Sequence, residues 1–186
     1  FFPPRKKWLP FWLRMPEMVV ASDAMPGIGK DGKLLPASAD PKEFAGHPRA
    51  AGTYGTTLQL ARDNNVPLMF TLAQTSYWNA KHLGDAGIEA MQERGRVQVG
   101  KVADLTLFDP LKVAGRSSYK ASEQGLPLAG IPYVIINGTV ALKNGEVLEV
   151  KPGQPIRYQV EAKGRFVPVQ VNKWLDDHAI KTPSVL

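Results

Sequence analysis

The second half of the sequence carries a turn signal that leaves few ways of folding the chain around it. Asn-Gly pairs stand at Asn137-Gly138 and at Asn144-Gly145, and aliphatic and β-branched residues flank them. Asn-Gly is the preferred pair for the tight primed turns that join antiparallel strands, because both residues accept a positive φ. Residues 134–142 therefore predict a β-hairpin, and residues 146–148 predict a strand after it.

The first half of the sequence has a different pattern of residues. Residues 18–21 form a short apolar run that ends at Ser22 and Asp23. Buried parallel strands have this appearance, and active-site residues often lie at their carboxyl ends. Residues 25–46, which follow, are rich in Gly and Pro and predict a long irregular loop.

Helical patterns continue the first half, and the pattern changes near residue 95. The predicted helices cover residues 56–64, 67–72 and 84–94. We therefore predict an α/β part over residues 1–95 and a β-rich part over residues 96–186.

Composition narrows the classes of function. The chain has 186 residues and a net charge of +6, but its basic residues are spread out apart from Arg5, Lys6 and Lys7. A nucleic-acid-binding protein concentrates such residues on one face, so we expect no nucleic-acid partner. No apolar run approaches the roughly 20 residues of a membrane helix, so we expect no membrane partner. Cysteine is absent, which excludes thiolate metal sites. A cytoplasmic location fits this absence, which does not exclude the periplasm.

Asp23 is the first candidate for chemistry. A carboxylate at the end of an apolar strand, followed by a Gly- and Pro-rich loop, is suitably placed for a general base or a metal ligand. The alternative is a structural role, because Ser and Asp also favour Asx turns and helix caps. The residues alone leave both interpretations open.

His47 and Arg49 are the second candidates. An arginine side chain presents a planar fork that binds a carboxylate through two parallel hydrogen bonds, and a nearby histidine can orient it. The alternative is an exposed arginine in a loop beside a hydrogen-bonded histidine. Ser22 has no acid and histidine in a triad-like arrangement downstream, so the sequence does not predict a serine hydrolase.

Several segments together resemble the amidohydrolase superfamily, and within it the D-aminoacylases, or N-acyl-D-amino-acid deacylases. Ser22-Asp23 resembles the end of the eighth barrel strand, and His47-Pro48-Arg49 resembles the stretch that follows it. Residues 95–110 and 130–138 resemble the strands by which these enzymes return to a small β-domain. The resemblance covers about residues 18–150. Many amidohydrolases share the return strand, whereas Ser-Asp combined with His-Pro-Arg points to D-aminoacylases.

This resemblance implies a fold and an activity. The fold would be the C-terminal portion of a (β/α)₈ TIM-like barrel followed by strands of a small composite β-sandwich. The activity would be metal-dependent hydrolysis of the amide bond of N-acyl-D-amino acids, with one or two Zn²⁺ ions in the complete enzyme. Asp23 would take the proton from the attacking water and is a candidate metal ligand. Arg49 would bind the substrate carboxylate, with His47 and Ser22 lining the pocket.

The sequence departs from the family in two respects. The loop between Asp23 and His47 is longer than the family pattern. Lys30 and Lys33 in this loop, together with Arg5, Lys6 and Lys7, suggest an acidic substrate side chain such as D-glutamate. The paired histidines and other metal ligands are also absent, and a full barrel takes about 250 residues. We therefore expect these ligands on a missing N-terminal part of the same enzyme, and we expect the isolated chain to be inactive.

Two other interpretations remain open. One is a fragment of a cyclic amidase of the dihydroorotase or hydantoinase type, which shares the strand-eight aspartate but has less use for His-Pro-Arg. The other is a non-catalytic β-rich interaction module, which would leave Asp23 exposed and the 25–46 loop facing no cleft. The deacylase interpretation requires the side chains of Asp23 and Arg49 to converge within about 10 Å, the span of one substrate molecule.

Overall fold

The structure is a computed structural model that describes residues 7–25, 27–36, 39–159 and 169–178. It is a mixed arrangement of short helices and one antiparallel sheet. The helices are α1 (Leu9–Trp12), α2 (Arg49–Asp63), α3 (Leu68–Leu72), α4 (Trp78–Asp85) and α5 (Val171–His178). The strands are β1 (Leu105–Leu107), β2 (Tyr133–Ile136), β3 (Thr139–Lys143) and β4 (Glu146–Val147). Short 3₁₀ turns occupy Pro41–Glu43 and Glu89–Met91.

Helix α2 confirms the helix predicted at residues 56–64 but begins earlier, at Arg49. Its first half contains Gly52 and Gly55, which are poor helix formers in isolation. Packing explains their presence: a Cβ atom on Gly55 would lie 2.6 Å from the side chain of Leu128 and 3.0 Å from the backbone of Ala114. The glycines therefore allow the 114–117 segment to lie directly against the helix.

Helices α3 and α4 are joined by a π-helical turn, Ala73–Tyr77. The helix predicted at residues 67–72 is thus confirmed, and it continues through this turn to Asp85. The turn buries Gln74 completely. The carbonyl oxygen of Gln74 accepts hydrogen bonds from the backbone N–H of Val20 at 2.9 Å and from the side-chain amide of Asn79 at 2.8 Å. The π turn therefore holds the segment that leads to Asp23.

The strand predicted at residues 18–21 is wrong. This segment is not paired in a sheet, and Val19 and Ala21 are exposed. A parallel strand requires neighbouring strands on its sides to satisfy its backbone groups. The described residues supply no such neighbour, and the single hydrogen bond from Val20 to Gln74 anchors the segment instead.

The helix predicted at residues 84–94 is also wrong. Helix α4 ends at Asp85, and Gly87 follows with a φ of 100°. This conformation favours glycine and cannot continue a right-handed helix. Only the short 3₁₀ turn Glu89–Met91 remains of the predicted element.

The sheet confirms the predicted hairpin. Strands β1 to β4 pair in sequence order, and every pairing is antiparallel. Asn137 and Gly138 have φ values of 48° and 77°, as a primed turn requires. The N–H of Asn137 also donates to the Asp104 carboxylate at 2.7 Å, and that carboxylate pairs with Arg94 at 3.1 Å. The turn is therefore tied to the chain that enters β1.

The packing of the described residues is concentrated around α2 and α3. Leu13 from the end of α1 packs with Ala61 and Val66, and Leu60 and Phe70 extend this cluster. In the part of the chain that the structure describes, no helix combines the length and the apolar character needed to cross a bilayer.

The segment that follows β1 lies close to Gly130, which stands shortly before β2. The N–H of Asp109 donates to the Gly130 carbonyl at 2.9 Å, and the N–H of Leu111 donates to the Asp109 carboxylate. That second bond lowers the pKa of the Asp109 carboxyl group. A Cβ atom on Gly130 would lie 2.6 Å from the backbone nitrogen of Val113, and Gly130 has a φ of 74°.

We expect Gly130→Ala to lower the free energy of unfolding by about 3 kcal/mol, because it combines an unfavourable φ with a clash against backbone. Gly138→Ala is the matched control. Gly138 has a φ of 77°, but a Cβ atom at this position would meet no heavy atom within 4 Å, so its cost should be about 1 kcal/mol. Urea denaturation of both variants measures the difference, and equal losses would contradict the close approach at Gly130.

Candidate functional site

Asp23 and Arg49 meet directly in the structure. An Arg49 Nη2 atom lies 2.9 Å from an Asp23 Oδ2 atom, although the two residues are far apart in sequence. Arg49 is the first residue of α2, and Asp23 follows the segment that Gln74 anchors. The pair is open to solvent, with 39% of the Arg49 side chain and 86% of the Asp23 side chain exposed. An ion pair this exposed contributes at most about 1 kcal/mol to stability.

The guanidinium group of Arg49 retains hydrogen-bonding capacity. Its Nε atom is buried and has no hydrogen-bond partner among the described residues. A buried donor without a partner is costly, and such atoms in native proteins call for a ligand, a water or another residue. Arg49 therefore retains an unused donor, Nε, on the same guanidinium group whose Nη2 atom holds Asp23.

The backbone of Asp23 is unusual. Its φ is 49°, in the left-handed region that Asp and Asn tolerate better than most residues. The hydroxyl group of Ser22 accepts a hydrogen bond from the N–H of Ala24 at 3.3 Å, which closes a local turn around Asp23. Strained backbone of this kind tends to occur where a side chain must be aimed in a particular direction.

His47 is positioned by contacts on both ring nitrogens. Its Nδ1 atom accepts a hydrogen bond from the backbone N–H of Arg49 at 3.1 Å, and its Nε2 atom lies 2.7 Å from the hydroxyl group of Tyr119. Because Nδ1 accepts, the neutral ring carries its proton on Nε2 and donates it to Tyr119. His47 thus connects the start of α2 to the 115–120 segment.

A cavity of about 290 Å³ opens beside the pair. Its walls come mainly from the loop after Asp23 and from the first turn of α2, and their side chains are apolar. They consist of Ala24, Met25, Gly27, Pro41, Phe44, Ala50, Ala51 and Gly125. The 25–46 loop therefore does face a cavity, contrary to what a non-catalytic module would require. The exposure of Asp23, by contrast, is what that module predicted.

Comparisons of the sequence and of the structure with known proteins both find D-aminoacylase. No protein-family model matches the chain. The D-aminoacylase of Alcaligenes xylosoxydans xylosoxydans is 35% identical over 113 residues, which cover 60% of this chain and 20% of that protein. A solved aspartate-to-alanine variant of D-aminoacylase in complex with CuCl₂ is 30% identical, covers 61% of this chain and 22% of that chain, and superposes with a TM-score of 0.52. The chain is similar to part of a D-aminoacylase.

A second type of solved structure also matches. N-acyl-D-glutamate deacylase from Bordetella bronchiseptica, complexed with zinc and a phosphonate inhibitor, is 30% identical. The match covers 60% of this chain and 22% of that chain, with a TM-score of 0.48. The chain spans about a fifth of the length of the curated D-aminoacylase that it matches.

The described residues of this D-aminoacylase-like segment do not form a metal site by themselves. They contain no group of three or more His, Cys, Asp or Glu side chains that could hold a metal ion. Asp23 is engaged with Arg49 and His47 with Tyr119. A metal that binds Asp23 would therefore need its other ligands from outside the described part of the chain.

Sequence reasoning identified Asp23, Arg49 and His47, but it missed the segment that supports them. Tyr119 contacts His47, and the hydroxyl group of Ser117 donates to the Pro48 carbonyl at 2.8 Å. Both residues lie far along the chain, and no local pattern marks them. Arg5 and Lys6, which contributed to the prediction of an acidic substrate, lie outside the described residues.

The positive φ at Asp23 leads to a stability prediction. Asp23→Ala should lower the free energy of unfolding by about 1 kcal/mol more than Asp23→Asn, because alanine tolerates the left-handed region less well than asparagine. Both variants lose the charge that pairs with Arg49, and making them in an Arg49→Ala background removes the hydrogen bond that only the asparagine amide could accept. The difference between the two variants in that background isolates the backbone. Asp63 of α2 provides the control: there alanine should be at least as stable as asparagine. Urea denaturation measures the free energy of unfolding of all four variants. If alanine were at least as stable as asparagine at position 23 as well, the strained backbone at Asp23 would be contradicted.

Proposed function

We propose that this chain is part of a metal-dependent amidohydrolase that hydrolyses the amide bond of N-acyl-D-amino acids. The observation that carries the proposal is the contact between Asp23 and Arg49 at 2.9 Å. It brings a proton acceptor and a carboxylate-binding group together, and their chain neighbours Ala24 and Ala50 line an apolar cavity. The similarity to D-aminoacylase over 60% of the chain supports the same activity.

Arg49 has the chemistry to bind the free carboxylate of an N-acyl amino acid. Its buried Nε atom lacks an acceptor among the described residues, and Nε with an adjacent Nη atom forms a fork that matches two carboxylate oxygens. A cyclic amide has no free carboxylate, so this feature favours an acyl-amino-acid substrate over the substrate of a cyclic amidase.

Asp23 has the chemistry of a general base. In the proposed reaction it accepts the proton of the attacking water and returns it to the nitrogen of the leaving amine. In the structure its carboxylate contacts the Nη2 atom of Arg49, which is one of the donors that would bind the substrate carboxylate in this proposal. Arrival of the substrate would therefore release Asp23 from Arg49 and free its oxygen atoms for proton transfer.

His47 and Ser22 take supporting roles in this proposal. His47 fixes the start of α2 through the Arg49 N–H and leaves its other nitrogen to Tyr119. Ser22 closes the turn that carries Asp23. Each therefore orients one of the two charged groups, but neither lines the adjacent apolar cavity.

The proposal includes Zn²⁺, one or two ions, as the cofactor of the complete enzyme, with Asp23 as a candidate ligand. The described residues alone do not fit such a site, so the remaining ligands belong to another part of the enzyme. Exposed apolar side chains on the helices offer a surface that such a part would cover. They include Tyr54, Leu68, Met69 and Leu83.

The residues that line the cavity indicate which kind of substrate side chain it would accept. Lys33 pairs with Asp31 at 3.5 Å, and Lys30 is exposed and does not line the cavity. The walls beside Arg49 are instead apolar. We therefore propose an apolar group, rather than an acidic one, in this cavity.

The intact enzyme should hydrolyse N-acetyl-D-leucine about tenfold more efficiently than N-acetyl-D-glutamate, since burying an unpaired carboxylate is costly. Equal kcat/KM values, or a preference for the glutamate, would contradict the apolar cavity.

Substitutions in the intact enzyme test the two charged roles. Asp23→Asn keeps the shape and the tolerance for positive φ but removes the base, so kcat should fall about a hundredfold or more. Arg49→Lys keeps the charge but loses the planar fork, so KM should rise about tenfold or more.

The matched controls are Asp31→Asn, which alters another exposed and ion-paired carboxylate of the same loop, and Arg116→Lys, which alters an exposed arginine. Both should retain the kcat and KM of the unaltered enzyme. An Asp23→Asn variant with full kcat would exclude Asp23 as the base.

The chain alone should neither retain zinc nor hydrolyse N-acyl-D-amino acids, because the described residues provide no complete set of ligands. Metal analysis after dialysis and an assay of the isolated 186-residue chain measure this. Stoichiometric zinc and turnover by the chain alone would show that it carries a complete site.

A further inference from the structure

A second cavity, of about 340 Å³, lies between α4 and the 92–101 segment. It shares no lining residue with the cavity beside Asp23 and Arg49. Its walls are strongly charged, with Lys81, Arg96 and Lys101 on the positive side and Asp85 and Glu93 on the negative side. The lining therefore carries one more positive than negative group.

The excess positive charge belongs to Arg96, because the other charged groups are paired. Lys81 pairs with Asp85, and Lys101 lies 2.9 Å from Glu93. The hydrogen bond to Asp85 raises the pKa of Lys81. None of the ion pairs among the described residues includes Arg96.

Arg96 is held in a defined orientation. Its guanidinium carbon lies 5.2 Å from the centre of the Tyr77 ring. A guanidinium group on an aromatic face leaves its edge, where the N–H donors are, free for another partner. Its Nε atom is buried and has no hydrogen-bond partner among the described residues. A buried donor of this kind calls for an acceptor, and Arg96 is one of the residues that line the cavity.

We infer that this cavity is a binding site for a small oxyanion, a carboxylate or a phosphate group, held by the guanidinium group of Arg96. Both anions present oxygen atoms at the spacing of the guanidinium fork. The Tyr77 ring supports the fork from one face. Lys101 stands at the same cavity and is restrained by Glu93, which repels an anion and so limits the affinity of the site.

Calorimetric titration of the full chain with inorganic phosphate, and separately with succinate, tests the inference at constant ionic strength set by chloride. We expect saturable binding of at least one probe at a single site, and the comparison identifies which oxyanion the site prefers. Absence of saturable binding of both probes would overturn the inference.

Substitutions connect such binding to Arg96. Arg96→Gln should weaken it about tenfold or more, whereas Arg116→Gln, which removes the same charge at an exposed position, should change it less than about twofold. Equal effects of the two variants would mean general attraction to a basic chain and would overturn the site. Arg96→Lys keeps the charge, and full affinity in that variant would overturn the role of the planar fork.

A gain of affinity provides a test that misfolding cannot imitate. Glu93→Gln removes the negative charge from the cavity wall and releases Lys101, so phosphate or succinate should bind several-fold more tightly. Lys101→Gln in the Glu93→Gln background should reverse that gain. Weaker or unchanged binding in Glu93→Gln would place the anion elsewhere and overturn the assignment.

Discussion

The hydrogen bond from the N–H of Val20 to the carbonyl of Gln74 is the contact on which the candidate site depends. An α-helix uses its interior carbonyl groups within itself, so they are not normally available to another segment. The π turn at Ala73–Tyr77 changes this locally, and the buried Gln74 carbonyl serves a segment outside the helix. The chain anchored there reaches Asp23 three residues later, where Arg49 binds it. The geometry of the charged pair is thus set by an irregularity in a helix, a feature often found near functional sites.

The local chemistry of the sequence predicted some of the fold, and tertiary contacts decided the rest. The hairpin at Asn137-Gly138 was predictable because the φ preferences of these residues are intrinsic. The early start of α2 was not, because Gly52 lowers helix propensity and is accepted only through packing against the 114–117 segment. Residues 18–21 have the composition of a buried strand, but a strand forms only where a partner strand is present. Gly87 is a residue at which a helix commonly ends, so the sequence contained a signal for the end of α4. The periodic apolar residues after Gly87 favoured a longer helix and obscured that signal.

The residues of the candidate site also divide into those that local sequence indicates and those that only tertiary contacts reveal. Asp23, His47 and Arg49 were predictable because their residue types carry chemistry and because the spacing of Ser-Asp and His-Pro-Arg resembles that of D-aminoacylases. Their mutual contact was expected within a broad distance, and the structure makes it direct. Tyr119 was not predictable, since its role depends on a loop that returns to α2 from far along the chain. Arg96 was not predictable either, because the sequence does not show that its charged neighbours are paired with one another or that, among the described residues, Arg96 has no ion-pair partner.

Arg49 begins α2, and the first turn of that helix contains no acidic residue. The peptide dipoles of a helix place a partial positive charge at this end, and an arginine there adds to that potential instead of offsetting it. The helix loses a little stability by this choice of residue. In the structure the carboxylate of Asp23 offsets this charge, and release of Asp23 would leave a positive field at the start of the helix that attracts negatively charged molecules. Capture of an anion at this end of the helix is therefore sensitive to dissolved salt, which screens such fields over about 10 Å at moderate ionic strength.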